Sequence, residues 1–331
     1  MTRIGKDIQE AVELLMNGDI VSIPTETVYG LAADATSDLA VSKIFKAKGR
    51  PSDNPLIVHI ASKEQLLEIT DHISTKAEKI IAAFWPGPLT IIFKKGQGLS
   101  EKVTAGLDSV GVRMPDHPIS LEIIKQSGLP LAAPSANTSG KPSPTTAQHV
   151  YNDLKGKIPL IIDGGTTAVG VESTVIDCMV DPPIILRPGS ITQTDLEAVI
   201  GPVKLDKALS AMSTPPRSPG MKYTHYAPQA PMYLVKEQGT VLQQSVNEAQ
   251  MKGLRVGVLG TEESVPDYNA DFVVACGSRN DLQTVAKKLY DALRSFDEHN
   301  LDIIFCETFS EEGIGKAIMN RLSKAANHKV I

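Results

Sequence analysis

The sequence contains little cysteine and no long hydrophobic run. Cys178, Cys276 and Cys306 stand far apart among 331 residues. Their spacing forms neither a metal-binding signature nor a disulfide framework. We therefore expect the protein to be in the reducing cytoplasm. No apolar run reaches about 18 residues, so no membrane-spanning helix is expected. The N-terminal stretch lacks the apolar core of a signal peptide, so no secretion is expected either.

Two familiar nucleotide-binding motifs are also missing. GIGKA at 313–317 resembles the end of a Walker A loop, but the spacing is wrong and Ala317 lacks the hydroxyl that would reach a metal. No GxGxxG follows a strand in the C-terminal third, and the histidines lack the spacing of metal ligands. A net charge of −5 argues against a generally basic nucleic-acid surface. A local basic cluster between Lys43 and Arg50 remains.

The composition that is present, 42% hydrophobic and 21% charged, is typical of a globular protein, and the length favours two domains. Strand and helix patterns alternate over 1–205, and two segments near 171–188 look antiparallel. This predicts an α/β domain with a mixed sheet. Prolines concentrate in 206–231, which predicts a stiff linker. The remainder, 232–331, has the alternation of a Rossmann-like α/β domain.

Residues 24–60 concentrate polar side chains between two predicted strands. The first strand, Ile20–Ile23, leads into a PTET turn, and a helix is predicted from Asp38 to Lys48. Gly49 then occupies the position where a helix needs a left-handed residue to end it. A second strand, Leu56–Ile60, follows and carries a histidine.

The loop between that helix and the second strand holds two cations and two hydrogen-bond donors at every second position: Lys48, Arg50, Ser52 and Asn54. In an extended segment, residues two apart face the same way, so we expect the four to converge on one ligand. Phosphate oxygens suit an arginine fork beside a lysine. The same cations also suit a solvated helix C-terminus, so spacing alone leaves both readings open.

Other polar positions are ambiguous when taken alone. The loop SANTSGK at 135–141 suits a phosphate or a ribose, and equally an ordinary turn. Arg113 and Arg187 each end a short predicted strand before a proline. Such arginines bind a carboxylate or a phosphate, or they form structural ion pairs. His59 is more typical of a structural strand residue.

Together these motifs resemble the threonylcarbamoyl-AMP synthase family, also called YrdC-like. The family's PTETVYG turn and its K-x-R-x-S-x-N loop both occur at family spacing, and a linker motif, SPGMKYTHYAP, follows at 218–228. The resemblance covers the whole chain and implies the two-domain form. It implies a YrdC-like twisted mixed open sheet with helices, a linker lying over the active site, and a smaller Rossmann-like domain.

The resemblance also implies a reaction. It implies a nucleotidyltransferase of the L-threonylcarbamoyladenylate synthase type. Its substrates would be L-threonine, ATP, and either bicarbonate or CO₂, and its products would be threonylcarbamoyl-AMP and pyrophosphate. The product would pass to a tRNA threonylcarbamoyl-transferase machinery that modifies adenosine 37 of tRNA. Mg²⁺ is expected with ATP, its ligands unassigned. A cytoplasmic location without membrane contact is expected, and a contact with tRNA stays open.

Individual roles follow from the same resemblance. It implies a threonine-binding set of Thr27, His59, Arg113, Ala133 and Ser173. It implies an ATP-binding set of Lys48, Arg50, Ser52, Asn54, Ser109, Ser135, Ser143, Arg187 and Tyr226. Lys48 and Arg50 are expected to be catalytic because they can neutralise developing negative charge. No residue is identified as the base for the threonine amine.

Two other hypotheses compete with this one. The basic cluster between Lys43 and Arg50 could serve an RNA-binding module without nucleotide turnover. The carbamoyl-adenylate chemistry of hydrogenase maturation is related, but it requires carbamoyl phosphate and a larger chain with zinc-finger and acylphosphatase parts. The 331 residues contain neither part.

Overall fold

The computed structural model describes residues 1–206 and 225–331 and divides into two compact units. Of the described residues, the first unit holds 1–139, 144–168 and 172–206. The second holds 225–331 together with two short earlier segments, 140–143 and 169–171. The predicted linker falls largely on 207–224, outside the described residues, so its path and the three domain bounds stay predictions.

The strands of the first unit are short and mostly buried. They are β1 (Arg3–Gly5), β2 (Val21–Ile23), β3 (Gly30–Asp34), β4 (Ile57–His59), β5 (Leu89–Lys94), β6 (Ser109–Arg113), β7 (Leu131–Ala132), β8 (Leu160–Ile162), β9 (Thr174–Asp177), β10 (Ile184–Arg187) and β11 (Lys204–Leu205). Within the described residues they form one sheet in the order β1-β8-β2-β3-β7-β4-β6-β5-β9-β10-β11. Parallel pairs such as β4–β6 stand beside antiparallel pairs such as β5–β6, which confirms the predicted mixed sheet.

The helices of the first unit begin at side-chain caps where the sequence supplies them. They are α1 (Ile8–Met16), α2 (Asp38–Lys48), α3 (Lys63–Ile69), α4 (Thr75–Phe84), α5 (Glu101–Thr104), α6 (Pro118–Ser127), α7 (Ala147–Leu154) and α8 (Gln193–Ile200). Before α2, the Ser37 side chain accepts from the Ala40 amide. Before α8, Thr192 and Asp195 form a reciprocal capping box.

The main core covers one face of the central strands. It takes Val41 and Ile44 from α2, Val58 from β4 and Val112 from β6. Successive side chains of a strand point to opposite faces of the sheet. The residues next to Val58 and Val112, His59 among them, therefore lie on the face turned away from this core.

Three strands and one short helix were not predicted from the sequence. β1 and β11 are edge strands of three and two residues, too short to show an alternating pattern. β3 reads GLAAD, without the β-branched or aromatic residues typical of strands. Pairing with β2 on one side and β7 on the other makes it a strand. The four-residue helix α5 lies within the predicted 95–108 loop.

The second unit contains a four-stranded parallel sheet. Its strands are β12 (Met232–Val235), β13 (Val256–Gly260), β14 (Phe272–Ala275) and β15 (Ile303–Glu307), in the order β12-β15-β13-β14. Its helices are α9 (Thr240–Met251), α10 (Leu282–Ser295) and α11 (Gly315–Ala325). The parallel sheet with intervening helices confirms the predicted Rossmann-like α/β architecture. The GIGKA segment leads into α11, as predicted for a helix start.

None of the helices within 1–206 and 225–331 combines the length and the apolar character needed to cross a bilayer. Cys178, Cys276 and Cys306 are free thiols, and all three are buried. Burial raises the pKa of the Cys178 thiol to about 12, so this thiol stays protonated and unreactive at neutral pH.

Gly49 ends α2 in the predicted left-handed conformation, with φ 61° and ψ 34°. An added Cβ would have no neighbour within 4 Å, so Gly49→Ala should cost only backbone strain. We expect it to lower the free energy of unfolding by about 1 kcal/mol. Gly49→Asn should cost less, because asparagine tolerates this conformation. The fluorescence of Trp85, the only tryptophan, reports urea unfolding of the first unit. Equal losses for Ala and Asn would contradict this account.

Candidate active site

The candidate site lies on the sheet face turned away from the main core. In the parallel pair β4–β6, Ile57 lies opposite Gly111 and His59 lies opposite Arg113. Paired residues share a face, so the His59 and Arg113 side chains stand side by side. Both are 4% exposed, so the charged and the titratable group are held within the protein.

This face has two ends, which we name the arginine end and the loop end. The arginine end is at Arg113, the last residue of β6. The loop end is at Ser109, the first residue of β6, and at Asn54, which precedes β4 on the same side. Four residues at about 3.3 Å each separate Ser109 from Arg113 by roughly 13 Å. A ligand that touches both ends must therefore be extended.

Arg113 is the central side chain of the arginine end. Its Nη1 donates to Thr27 Oγ1 at 2.9 Å, and its Nε donates to the Gly87 carbonyl at 3.2 Å. Its Nη2 forms an ion pair with the Glu26 carboxylate. Thr27 and Glu26 are neighbours in the turn between β2 and β3, so one turn supplies two of the three partners. A guanidinium with partners on three nitrogens is held in one orientation.

His59 is uncharged in the folded protein. Burial, and then the positive charge of Arg113, lower the pKa of His59 to about 3. Its Nδ1 is buried and has no hydrogen-bond partner within the described residues. The arginine end therefore presents a neutral imidazole with one nitrogen available to a ligand.

Ser173 is fixed by two neighbours. Its hydroxyl lies 2.8 Å from Thr90 Oγ1, and its carbonyl accepts from Arg187 Nε at 3.1 Å. Arg187 Nη2 also donates to the Ser173 hydroxyl at 3.1 Å. Arg187 was predicted to bind ATP, yet these two hydrogen bonds orient Ser173, a residue predicted to bind threonine. The structure thus joins one residue from each predicted set.

Ala133 lies between the two ends. Its amide donates to the Ile57 carbonyl at 3.0 Å, which continues the β4–β7 pairing by one residue. Two residues further on, Ser135 pairs with Gly30 through an isolated bridge. The polar loop 135–141 thus begins beside the candidate face.

Lys48 and Ser135 come together at the start of that loop. Lys48 is 1% exposed, and its ammonium donates to the carbonyls of Ser135 and of Asn137, the second at 2.6 Å. Asn137 Oδ1 lies 3.3 Å from the same nitrogen and accepts from Ser135 Oγ at 2.6 Å. A buried ammonium requires such compensation. Lys48 therefore holds the 135–137 backbone in addition to carrying charge.

The loop after α2 differs from the predicted extended segment. Residues 52 and 53 form a turn, which leaves Ser52 exposed while Asn54 is 1% exposed. The predicted extended conformation of this loop is therefore wrong, while a shared ligand for the four side chains stays a prediction. Arg50 Nη2 instead donates across the turn to the Pro55 carbonyl at 3.2 Å. Both amide atoms of Asn54 are buried without a hydrogen-bond partner in the described part of the chain.

Ser109 is partly buried and lines a cavity of about 630 Å³ at the loop end of the strands. Lys94, Asp108, Asp177 and Leu186 are among the other lining residues. The cavity continues past the end of β6 away from Arg113. The other predicted site residues do not line it.

Ser143 and Tyr226 belong to the second unit. Ser143 is buried within 140–143, and the Gly140 carbonyl of this segment accepts from the Ala227 amide at 3.1 Å. Tyr226 stacks on Tyr290 with ring centroids 5.2 Å apart. The φ of Tyr226 is 67°, a left-handed conformation that is rare for a bulky residue and is concentrated at functional sites.

Three residues of the site were not predicted from the sequence: Glu26, Thr90 and Asn137. Each acts through a partner far away in the chain, at Arg113, Ser173 and Lys48 respectively. No local spacing reveals such a pair. The only available signal was a carboxylate within the PTET turn.

Two family models match the chain. One, described as telomere recombination, matches residues 13–189, and one, described as threonylcarbamoyl-AMP synthase, C-terminal domain, matches 191–327. A threonylcarbamoyl-AMP synthase from Bacillus subtilis is 56% identical over 98% of this chain and 94% of its own length. One from Pyrococcus abyssi is 46% identical over 98% and 95%. The crystal structure of P. abyssi Sua5 complexed with L-threonine aligns with a TM-score of 0.94 at 43% identity, covering 100% of this chain and 99% of that one.

His59 should make stability depend on pH. Its folded pKa of about 3 is below the unfolded value of about 6.5, so the unfolded state binds more protons between these values. The stability that neutral His59 contributes is present above pH about 6.5 and is lost as the pH falls towards 3. The limiting slope is about 1.4 kcal/mol per pH unit. Urea unfolding at several pH values should show a smaller slope for His59→Gln. An identical pH dependence in both proteins would contradict the buried neutral state.

Proposed function

We propose that this chain, which belongs to the threonylcarbamoyl-AMP synthase family, condenses L-threonine, bicarbonate or CO₂, and ATP into threonylcarbamoyl-AMP. Pyrophosphate is the second product, which makes the enzyme a nucleotidyltransferase. The observation that carries the proposal is the two-ended face. It offers a buried arginine suited to a carboxylate at one end. At the other end it offers the Asn54 amide, which has no hydrogen-bond partner in the described residues and lies next to Arg50.

Threonine occupies the arginine end in this proposal. The Arg113 guanidinium receives its carboxylate, since a planar fork matches two carboxylate oxygens. The hydroxyls of Thr27 and Ser173 and the neutral imidazole of His59 suit its polar atoms, and Ala133 closes the pocket. The L-threonine complex of the P. abyssi relative, which aligns over the whole chain, supports threonine as the ligand.

ATP occupies the loop end. Lys48, Arg50 and Asn54 face the triphosphate there, and Ser109 and Ser135 lie along its path; Ser52, Ser143, Arg187 and Tyr226 stay predictions as ATP contacts. A carbamate oxygen of carboxylated threonine attacks the α-phosphorus, and the bond to the bridging oxygen of pyrophosphate breaks. The two cations stabilise the charge that collects on the leaving group.

We further propose that Mg²⁺ enters as part of the nucleotide. Within 1–206 and 225–331 there is no group of three or more His, Cys, Asp or Glu side chains that could hold a metal. The side chains proposed to face the triphosphate, those of Lys48, Arg50 and Asn54, are two cations and one amide. This donor set fits an ion held mainly by phosphate oxygens and water, as is common for Mg²⁺. The ion supplies neutralisation of phosphate charge when bound.

A second enzyme must use the product. Threonylcarbamoyl-AMP is a mixed anhydride, so a transferase that places the threonylcarbamoyl group on N6 of adenosine 37 of tRNA is the matching next step. A cytoplasmic location fits the three free buried thiols. Direct tRNA contact has less support, because one cation of the basic cluster, Lys43, lies 3.2 Å from Asp19.

Purified protein should release pyrophosphate from ATP only when threonine and bicarbonate are both present. Arg50→Ala should lower this rate at least about 10-fold, because a charge-assisted contact to the triphosphate is lost. Arg3→Ala is the matched control, since Arg3 pairs with Glu10 at the surface of the same unit and should leave the rate unchanged. Release that does not need threonine would contradict the proposed acceptor.

Asn54 should lower the stability of the free protein while contributing to its activity. Its buried amide has no partner in the described residues, so Asn54→Leu removes an unsatisfied polar group and should unfold at equal or higher urea concentration. The same change should lower pyrophosphate release at least about 10-fold if the amide binds the nucleotide. A variant that keeps full activity would show that Asn54 does not contact ATP.

A further inference from the structure

Carbamate formation needs threonine as a free amine, whereas at neutral pH the amino acid carries an ammonium. A proton acceptor beside bound threonine is therefore required. We propose, on the basis of the function above, that the Glu26 carboxylate is this base and that His117 acts through Glu26 as the next proton acceptor.

The first observation is the position of the Glu26 carboxylate. It is 7% exposed and already paired with Arg113, the residue proposed to receive the threonine carboxylate. Both of its oxygens are buried without a hydrogen-bond partner in the described part of the chain, and only Oε1 forms the ion pair, so Oε2 is available to a ligand. A buried carboxylate oxygen without a donor is an acceptor waiting for a ligand N–H.

The geometry of an α-amino acid places its ammonium close to that oxygen. Only one carbon separates the amine from the carboxylate, through two bonds of about 1.5 Å each. A threonine whose carboxylate shares the Arg113 guanidinium with Glu26 therefore carries its nitrogen beside the Glu26 carboxylate. No other carboxylate is paired with Arg113 among the described residues.

The charges favour transfer in this direction. The charges of Glu26 and Arg113 sum to zero, and zwitterionic threonine adds no net charge. Moving one proton from the ammonium to Glu26 removes two buried charges at once and leaves Arg113 paired with the threonine carboxylate. Burial disfavours charged forms, so a dry pocket promotes this transfer. The neutral state of His59 in the same pocket indicates how strongly this site disfavours a second cation.

His117 lies next to the turn that carries Glu26. It precedes α6, and one turn later Ser120 donates its hydroxyl to the Pro24 carbonyl, which ties the helix to this turn. A Cβ at Gly164 would lie 2.6 Å from the Pro24 ring and 3.0 Å from His117 Cε1. Only glycine lets the imidazole and the proline ring approach this closely.

His117 can accept a proton. Its Nδ1 is buried and without a hydrogen-bond partner in the described residues. Burial lowers the pKa of His117, against the charges of Glu26 and Asp116, so the ring is neutral at physiological pH. The elements around Glu26 carry Arg113, His59, Asp116, His117 and Asp163, together with Tyr29 of the turn and Glu122 and Lys125 of α6. Of these, His117 is the neutral group on which the Glu26 charge acts directly.

The ammonium gives one proton to Glu26 Oε2, and the nitrogen keeps its lone pair; His117 takes the proton after the carbamate has formed. That lone pair forms an N–C bond to bicarbonate. One C–O bond breaks, and water leaves with the bicarbonate proton and one amine proton. The product is the threonine carbamate, whose oxygen then attacks ATP.

The test compares wild type, Glu26→Gln and Glu10→Gln in threonine- and bicarbonate-dependent pyrophosphate release from pH 6.5 to 8.5. Glu10 is an arginine-paired glutamate at the surface and serves as the matched control. Glu26→Gln should lower kcat about 100-fold or more at neutral pH. Its activity should then rise about 10-fold per pH unit, as free amine becomes available without a base. Threonine affinity, measured by calorimetry, should change little, because the variant loses the contact between Glu26 and the ammonium while Arg113 loses a competing carboxylate.

A purely structural role for Glu26 gives a different result. The variant would keep the wild-type pH profile, and this finding overturns the proposal. If the wild type is active and Glu26→Gln is equally active, the role of Glu26 as base is overturned while the proposed function stands. A wild type that releases no pyrophosphate with threonine overturns both. His117→Gln should lower kcat by a smaller factor and reduce activity most at low pH; an unchanged pH profile would remove His117 from the relay.

Discussion

The buried guanidinium of Arg113 is the constraint on which the site depends. A cation at 4% exposure is stable only with partners, and these come from separate parts of the chain. The turn after β2 supplies Thr27 and Glu26, and the segment before β5 supplies the Gly87 carbonyl. The strand order that brings β4, β6 and β5 together is therefore also what completes the arginine end. Burial, and then the charge of Arg113, lower the pKa of His59, so this imidazole is neutral.

The two ends of the face are prepared differently. At the arginine end, the partners of Arg113 are in place before a ligand arrives, so binding requires little reorganisation. At the loop end, the Lys48 ammonium is held by the carbonyls around Ser135, while the Asn54 amide is buried without a partner in the described residues. A nucleotide would satisfy Asn54. The separation of roughly 13 Å along β6 suits two substrates that meet between the ends.

Much of the fold was predictable because its signals are local. The bounds of α2 and its left-handed Gly49 follow from helix periodicity and a cap, and the parallel second unit follows from regular alternation. β3 was not predictable, because small residues become a strand only when two neighbours pair with them. The chemistry of Arg113 was recognisable from a resemblance, but its partner Glu26 lies far away in the chain and leaves no local pattern. The turn at Ser52 likewise follows from packing rather than from spacing.

The most direct test of the central claim is the identity of the product. The enzyme is incubated with ATP, ¹⁵N-threonine and ¹³C-bicarbonate. The nucleotide products are then separated, and their masses are measured by mass spectrometry. We expect an AMP adduct that carries one ¹⁵N and one ¹³C, joined through the threonine nitrogen. An adduct of AMP and threonine without ¹³C, or one that carries ¹³C without threonine, would contradict the account.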